Sequence, residues 1–337
     1  MSKLFRTVWL PLLALLVPGV AFAHEVYVLS PEEIAYGLNS VPVSPMTVMS
    51  DHASQFIFWT FIGALVVSTV FAMSISRWLE KKLDPSLMRL KKYAEPVARI
   101  TVGLGLIACA YYGALFGPEL PLTMLFKEFA PIVALIMAGA GLCMLANKFV
   151  REVGWVLLFI FAVATLERGI YMLTYTNYLG EILIMIIGAA TAPRTRGAWS
   201  ALMRTLVPYR FGILRIMFGI SLIFASIFAK LIHANLALEV VMKYHLTDYL
   251  HFEPHFLVLG AAIVEITIGL FFLLGIEIRH TALFLEFWLF LSLLYFGEVV
   301  WPHLILIGIP IAFFLHGYDR PSLEGMFFVK GRREPIL

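Results

Sequence analysis

With 337 residues, 61% of them hydrophobic, 14% charged, and a formal net charge of +3, the chain departs from soluble globular composition, which is about half apolar and a quarter charged. A chain of this size cannot bury so much apolar surface in water, so lipid is part of its solvent, and the mean hydropathy of +0.89 agrees. The same figures exclude a disordered chain, a disulfide-stapled secreted module and a typical nucleic-acid binder.

Residues 1–23 have a basic start (Lys3, Arg6), an apolar stretch from Val8 to Val20, and then Ala21-Phe22-Ala23. That is the three-part form of a secretory signal with an A-x-A cleavage site. Cleavage there leaves His24 first, with a free amine beside its imidazole, a chelating pair suited to copper to which His52 can add a second ring. The external segment 24–54 contains Ser30-Pro31-Glu32-Glu33, a capping box with Pro at the first helical position, which predicts a short helix. Cys109 and Cys143 each lie inside an apolar run with no C-x-x-C spacing, so a thiol relay built from this chain is not expected.

Apolar runs that approach a ~30 Å hydrocarbon core follow at Phe56–Ser76, Val97–Phe116, Ala130–Leu145, Val153–Leu173, Tyr178–Ala190, Phe211–Ile232, Phe256–Gly275, Thr281–Val300 and Pro302–His316. The expected class is therefore an all-α integral membrane protein of about nine transmembrane helices. Asp84-Pro85 predicts the start of a short interfacial helix carrying Leu87, Met88 and Leu90 beside Arg89, Lys91 and Lys92. The loop Ala234–Pro254, with Leu236, Leu238, Val240, Val241 and Tyr244, reads as a helix lying on the membrane. Nine spans after a cleaved leader put the N-terminus outside and the C-terminus inside. The loops assigned inside hold most of the Lys and Arg, while those assigned outside hold only Lys127 and Lys243. Cytoplasmic loops carry that excess, which places the chain in a bacterial-type plasma membrane.

The chain also repeats itself. Arg99-Ile-Thr-Val-Gly103 matches Arg215-Ile-Met-Phe-Gly219, and Gly141-Leu-Cys-Met-Leu145 with Arg151 matches Gly269-Leu-Phe-Phe-Leu273 with Arg279. Each copy spans four helices and enters from the same side, a parallel duplication. The organisation is then an extra span and basic linker at 55–96, a first four-helix unit at 97–191, a linker at 192–210, a second unit at 211–317 and a tail at 318–337.

The second unit carries a family resemblance. Arg215-Ile-Met-Phe-Gly219, followed by Lys230-Leu231, then Glu265-Ile-Thr-Ile-Gly269-Leu-Phe-Phe-Leu-Leu-Gly275 and Arg279, resembles the DoxX family of small four-helix membrane proteins. The likeness is clear over residues 211–317 and faint over 97–191. In the first unit Ala114 stands where Lys230 does and Met137 where Glu265 does. Some members of the family resemble the membrane subunit of thiosulfate:quinone oxidoreductase. The resemblance thus implies a quinone as ligand and an external redox partner. The sequence itself shows no strong haem, flavin or iron–sulfur signal, so a redox role would be that of a subunit.

An ionisable residue within a span is costly and points to function by default. Counting helix rise from Arg215 and Arg279, Lys230 and Glu265 come to nearly one depth, ~22 Å and ~21 Å from the basic interface. His233 lies one turn beyond Lys230, and Glu298 and His303 flank Trp301-Pro302 at the next junction. These five are the candidate ligand-pocket residues, and three roles stay open: a structural ion pair, an outward-facing pocket, or a proton or electron relay. Glu286 reads as a partner for Arg279, and Glu167, Arg168 and Glu181 as a local charge network. His245, His251 and His255 lack metal-site spacing. A non-enzymatic transporter or copper-handling protein using His24 and His52 is the alternative function. The topology is testable with single cysteines. One at Asn235 should react with an impermeant thiol reagent on intact cells while one at Ser86 is protected; the reverse pattern refutes it.

Overall fold

The structure is a computed structural model and describes residues 28–50, 52–188, 198–298, 300–319 and 321–327. The leader, His24 and the end of the tail lie outside the described residues. Within them all regular structure is helical, apart from one isolated bridge between Ala114 and Pro121. Seven helical stretches are long and apolar enough to cross a membrane, and Trp301–His316 forms a shorter apolar one. This is a multi-pass α-helical membrane protein.

A short α1 (Pro31–Asn39) precedes α2 (His52–Leu90), then α3 (Ala94–Tyr112), α4 (Leu122–Phe126), α5 (Ala130–Leu145), α6 (Val150–Arg168), α7 (Thr176–Gly188) and α8 (Ala198–Leu206). The second half comprises α9 (Arg210–Ser226), α10 (Ala234–Lys243), α11 (Leu246–Leu250), α12 (Pro254–Leu274), α13 (Ile278–Phe296), α14 (Leu304–His316) and α15 (Leu323–Phe327). The apolar stretch Val150–Gly188 is not one straight pass. It turns through Gly169–Tyr175, and a Cβ on Gly154 would meet Ile186 Cγ1 at 2.7 Å, so α6 and α7 run back along each other. Counted so, the described residues make nine passes. The thirteen residues of α7 and of α14 reach only about 20 Å. Both are largely buried among other helices, so neither has to match the lipid thickness along its length.

Two helix crossings hold the bundle, and they have the same contacts. Where α3 meets α5, a Cβ on Gly141 would lie 2.6 Å from the Gly103 carbonyl oxygen; where α9 meets α12, a Cβ on Gly219 would lie 2.6 Å from that of Gly269. Only glycine allows backbones this close, and such small-residue contacts replace the hydrophobic drive that lipid removes. At both crossings the arginine one turn before the first glycine reaches across. Arg99 donates to the Met144 carbonyl, and Arg215 to those of Phe272 and Leu273.

The last helix of each half packs on the first helix of the other. Gly308 of α14 faces Thr101 of α3, and Gly180 of α7 faces Leu214 and Met217 of α9. Thr101 and Met217 stand at the same register after Arg99 and Arg215, as Gly180 and Gly308 do after Gly141 and Gly269. The two halves of the chain are thus interlocked through α7 and α14.

Outside the bundle, two expectations are corrected. No new helix starts at Asp84-Pro85: α2 runs on to Leu90, with its apolar pass confined to His52–Ser76. And α10 turns its apolar face to protein instead of lipid. It buries Leu236 against Val28 and Leu29, and Ala237 and Val241 against Val258 of α12. The capping box forms as expected, Ser30 N–H donating to Glu33 and Glu33 N–H to Ser30 Oγ. Glu33 also binds Lys243 at 2.7 Å, and that hydrogen bond holds its carboxyl below the ordinary value of 4.5. Asn235 donates to Ser40 Oγ and the Val41 carbonyl, which completes the seat of α1 on α10.

The crossings generate a test by contrast. Gly219→Ala and Gly141→Ala push a methyl into backbone and should each cost about 1–3 kcal/mol, as overpacked cores do. Gly63→Ala and Gly139→Ala meet nothing within 4 Å and should be neutral or gain up to about 1 kcal/mol from helix propensity. Thermal midpoints in detergent check this, and equal loss at all four positions refutes the close-contact account.

Candidate functional site

At the end of the bundle opposite the arginines, α9 does not stop after Ser226. It widens into a π-type turn over Ile227–Ile232, which carries Lys230. Such turns re-aim side chains that a regular helix would place elsewhere, and they concentrate at functional sites. Here the turn directs Lys230 at α12, where its Nζ donates to Glu265 Oε2 at 2.7 Å. One turn below, Ser226 Oγ donates to the Ala262 carbonyl at 3.2 Å, so the two helices are stitched at successive levels. The ion pair is mostly enclosed, with the Lys230 and Glu265 side chains 10% and 18% exposed.

His233 closes the turn, donating its backbone N–H to the Phe228 carbonyl at 2.9 Å. Its ring lies 4.6 Å from that of Phe228, which in turn meets Tyr171 at 5.0 Å. These rings join the π-type turn to Tyr171 of the first half. Glu298 and His303 form a second pair at the α13–α14 junction: His303 Nε2 is 3.4 Å from Glu298 Oε2, both side chains 2% exposed. Ser292 Oγ donates to Glu298 Oε1 at 2.7 Å. Next to them, Trp301 stacks on Tyr112 at the end of α3, centroids 5.0 Å apart. In the first half, the positions matching Lys230 and Glu265 are filled by buried Ala114 and Met137.

Of the histidines read as metal candidates, His52 stands exposed at the first position of α2, and His24 lies outside the described residues. Among the described residues no group of three His, Cys, Asp or Glu side chains is placed to hold a metal ion. His255 pairs with Glu253, and His245 comes within 4.0 Å of Asp248.

The arginine end contains groups that the sequence reading placed differently. Arg215 is 1% exposed and forks onto Asp319 through Nε at 2.9 Å and Nη2 at 3.2 Å, a bidentate pair that ties the segment after α14 under the second half. Arg279 Nε donates to the Phe314 carbonyl at 3.0 Å, and Glu286, expected as its partner, is buried with neither oxygen hydrogen-bonded among the described residues. Ser76 at the end of the α2 pass bonds to Glu277 and to His280 Nδ1, the latter at 2.7 Å. Glu181 does not join Glu167 and Arg168. With Ile184, Met185 and Gly188 it shares the face of α7 turned toward α3 and α9, at the arginine end. That i, i+3, i+4, i+7 spacing is present in the sequence.

No family model, curated protein or solved structure matches this chain.

The pair can be tested by a double-mutant cycle. Lys230→Met and Glu265→Gln each strand a partner in low dielectric, at a cost of about 3–5 kcal/mol, and should lower the thermal midpoint in detergent. Lys230→Met combined with Glu265→Leu should recover much of that loss. Single variants as stable as the parent would show that the two charges do not depend on each other.

Proposed function

We propose that this is a DoxX-like membrane protein of duplicated four-helix units. In this reading it is a quinone-linked redox subunit with an outward-facing polar site at Lys230–Glu265. The arginine end then faces the cytoplasm of a bacterial-type plasma membrane, in line with the Lys/Arg excess, and the leader is removed to leave the N-terminus outside. The equivalent glycine crossings and the interlock through α7 and α14 support the duplication.

One observation carries the functional reading: an enclosed ion pair, aimed by a π-type turn, within an apolar pass. A quinone head group is a flat ring with two hydrogen-bond acceptors. Lys230 offers it a donor and Glu265 an acceptor for the reduced form's hydroxyl. Glu298 and His303 add a second donor–acceptor pair at the neighbouring junction. An external partner supplies the electrons in this scheme.

The test is what the protein retains. Full-length protein purified in mild detergent should carry quinone at near stoichiometry, and the Lys230→Met/Glu265→Leu variant should fold but lose it. A double variant that keeps its quinone moves the ligand elsewhere. Stoichiometric copper or zinc with no quinone overturns the redox reading in favour of a metal-handling membrane protein.

A further inference from the structure

At the arginine end, between α3, α6, α7 and the start of α9, lies a second polar feature that the Lys230–Glu265 site does not involve. Glu95, Arg99, Val150, Glu181, Arg210 and Phe211 line a pocket of about 20 Å³, room for one water molecule. Its rim is the Glu95–Arg210 ion pair, 2.8 Å long and partly exposed at 48% and 25% respectively. Its floor is Glu181, a residue 1% exposed, neither of whose carboxyl oxygens is hydrogen-bonded among the described residues.

We propose that this pocket is a proton-binding site, in which Glu181 exchanges a proton with water admitted from the arginine end of the bundle. A carboxylate withdrawn from water needs a donor or a proton. Arg99 and Arg210 line the same pocket but donate to the Met144 carbonyl and to Glu95, and neither bonds Glu181. What the pocket offers Glu181 is water. The step balances without any other reagent: a proton arrives along the water, forms the O–H bond of the acid, and leaves by the same route.

The two halves make the point sharper. At the matching place in the second half Ile309 stands where Glu181 does, and the arginine matching Arg99 is sealed by Asp319. The carboxyl pocket of the first half and the Lys230–Glu265 pair of the second lie at opposite ends of the bundle. This inference does not rest on the quinone reading and can fail or hold without it.

Infrared spectra of the full chain in detergent test it. Glu181→Gln should lose the C=O stretch of a protonated carboxylic acid, and in the parent protein that band should shift promptly on transfer to D₂O. Dicyclohexylcarbodiimide, which attacks protonated carboxyls from the apolar side, should label the peptide containing Glu181, with the label falling as pH rises. This second measurement uses the parent protein and stands even where Glu181→Gln fails to fold. No label at Glu181 at any pH overturns the proposal. So does a label independent of pH, or a lost band that never shifts in D₂O, since either describes a static neutral side chain.

Discussion

In hydrocarbon an apolar side chain gains nothing by leaving lipid for protein, so helices associate through close backbone packing and buried hydrogen bonds. The contact of Gly103 with Gly141, and of Gly219 with Gly269, meets that constraint twice. Each crossing brings a helix carbonyl to within contact of its neighbour's Cα, and each is flanked by an arginine that reaches the next carbonyls across the groove. The rest follows from those two crossings. They fix the register of α9 on α12, and that register puts Ser226 beside Ala262 and Lys230 beside Glu265. A slip of one residue would turn Glu265 by about 100° around its helix and part the pair. The polar site is a product of glycine packing as much as of its own charges.

Much of this was legible in the sequence. The apolar runs, the capping box at Ser30, and the paired arginine–glycine segments are local patterns with local causes. The meeting of Lys230 and Glu265 was legible because helix rise is constant and two arginines mark a common level. What escaped was everything that depends on which way a helix turns about its axis. Glu181 stands near Glu167 and Arg168 in sequence, yet the face it shares with Ile184, Met185 and Gly188 looks away from them. Glu286 lies two turns from Arg279, but the arginine is drawn to a carbonyl of α14. The apolar face of α10 reads as membrane-seeking, because nothing in residues 234–254 announces that α1 will cover it. Asp84-Pro85 reads as a helix start, whereas α2 continues through it.

The contrast between the two halves is itself physical. Where the second half has Lys230 and Glu265, the first has Ala114 and Met137, both buried. Where the first has Glu181 beneath Arg99, the second has Ile309 beneath an arginine locked by Asp319. Buried charge in a membrane is expensive wherever it stands, and the two halves carry it at different positions.

The interlock through α7 and α14 has a consequence for how the chain is made. Helix α3 leaves the ribosome early, but the surface it uses is completed by α14, the last apolar pass among the described residues. Until then the groove around Thr101, which Gly308 will occupy, has only lipid or the insertion machinery to fill it. Neither half buries all of its packing surface by itself, since α3 packs on α14 and α9 on α7. The seam on α3 therefore closes only once α14 is in place, and a chain truncated before α14 exposes its missing seam on α3, far from the cut.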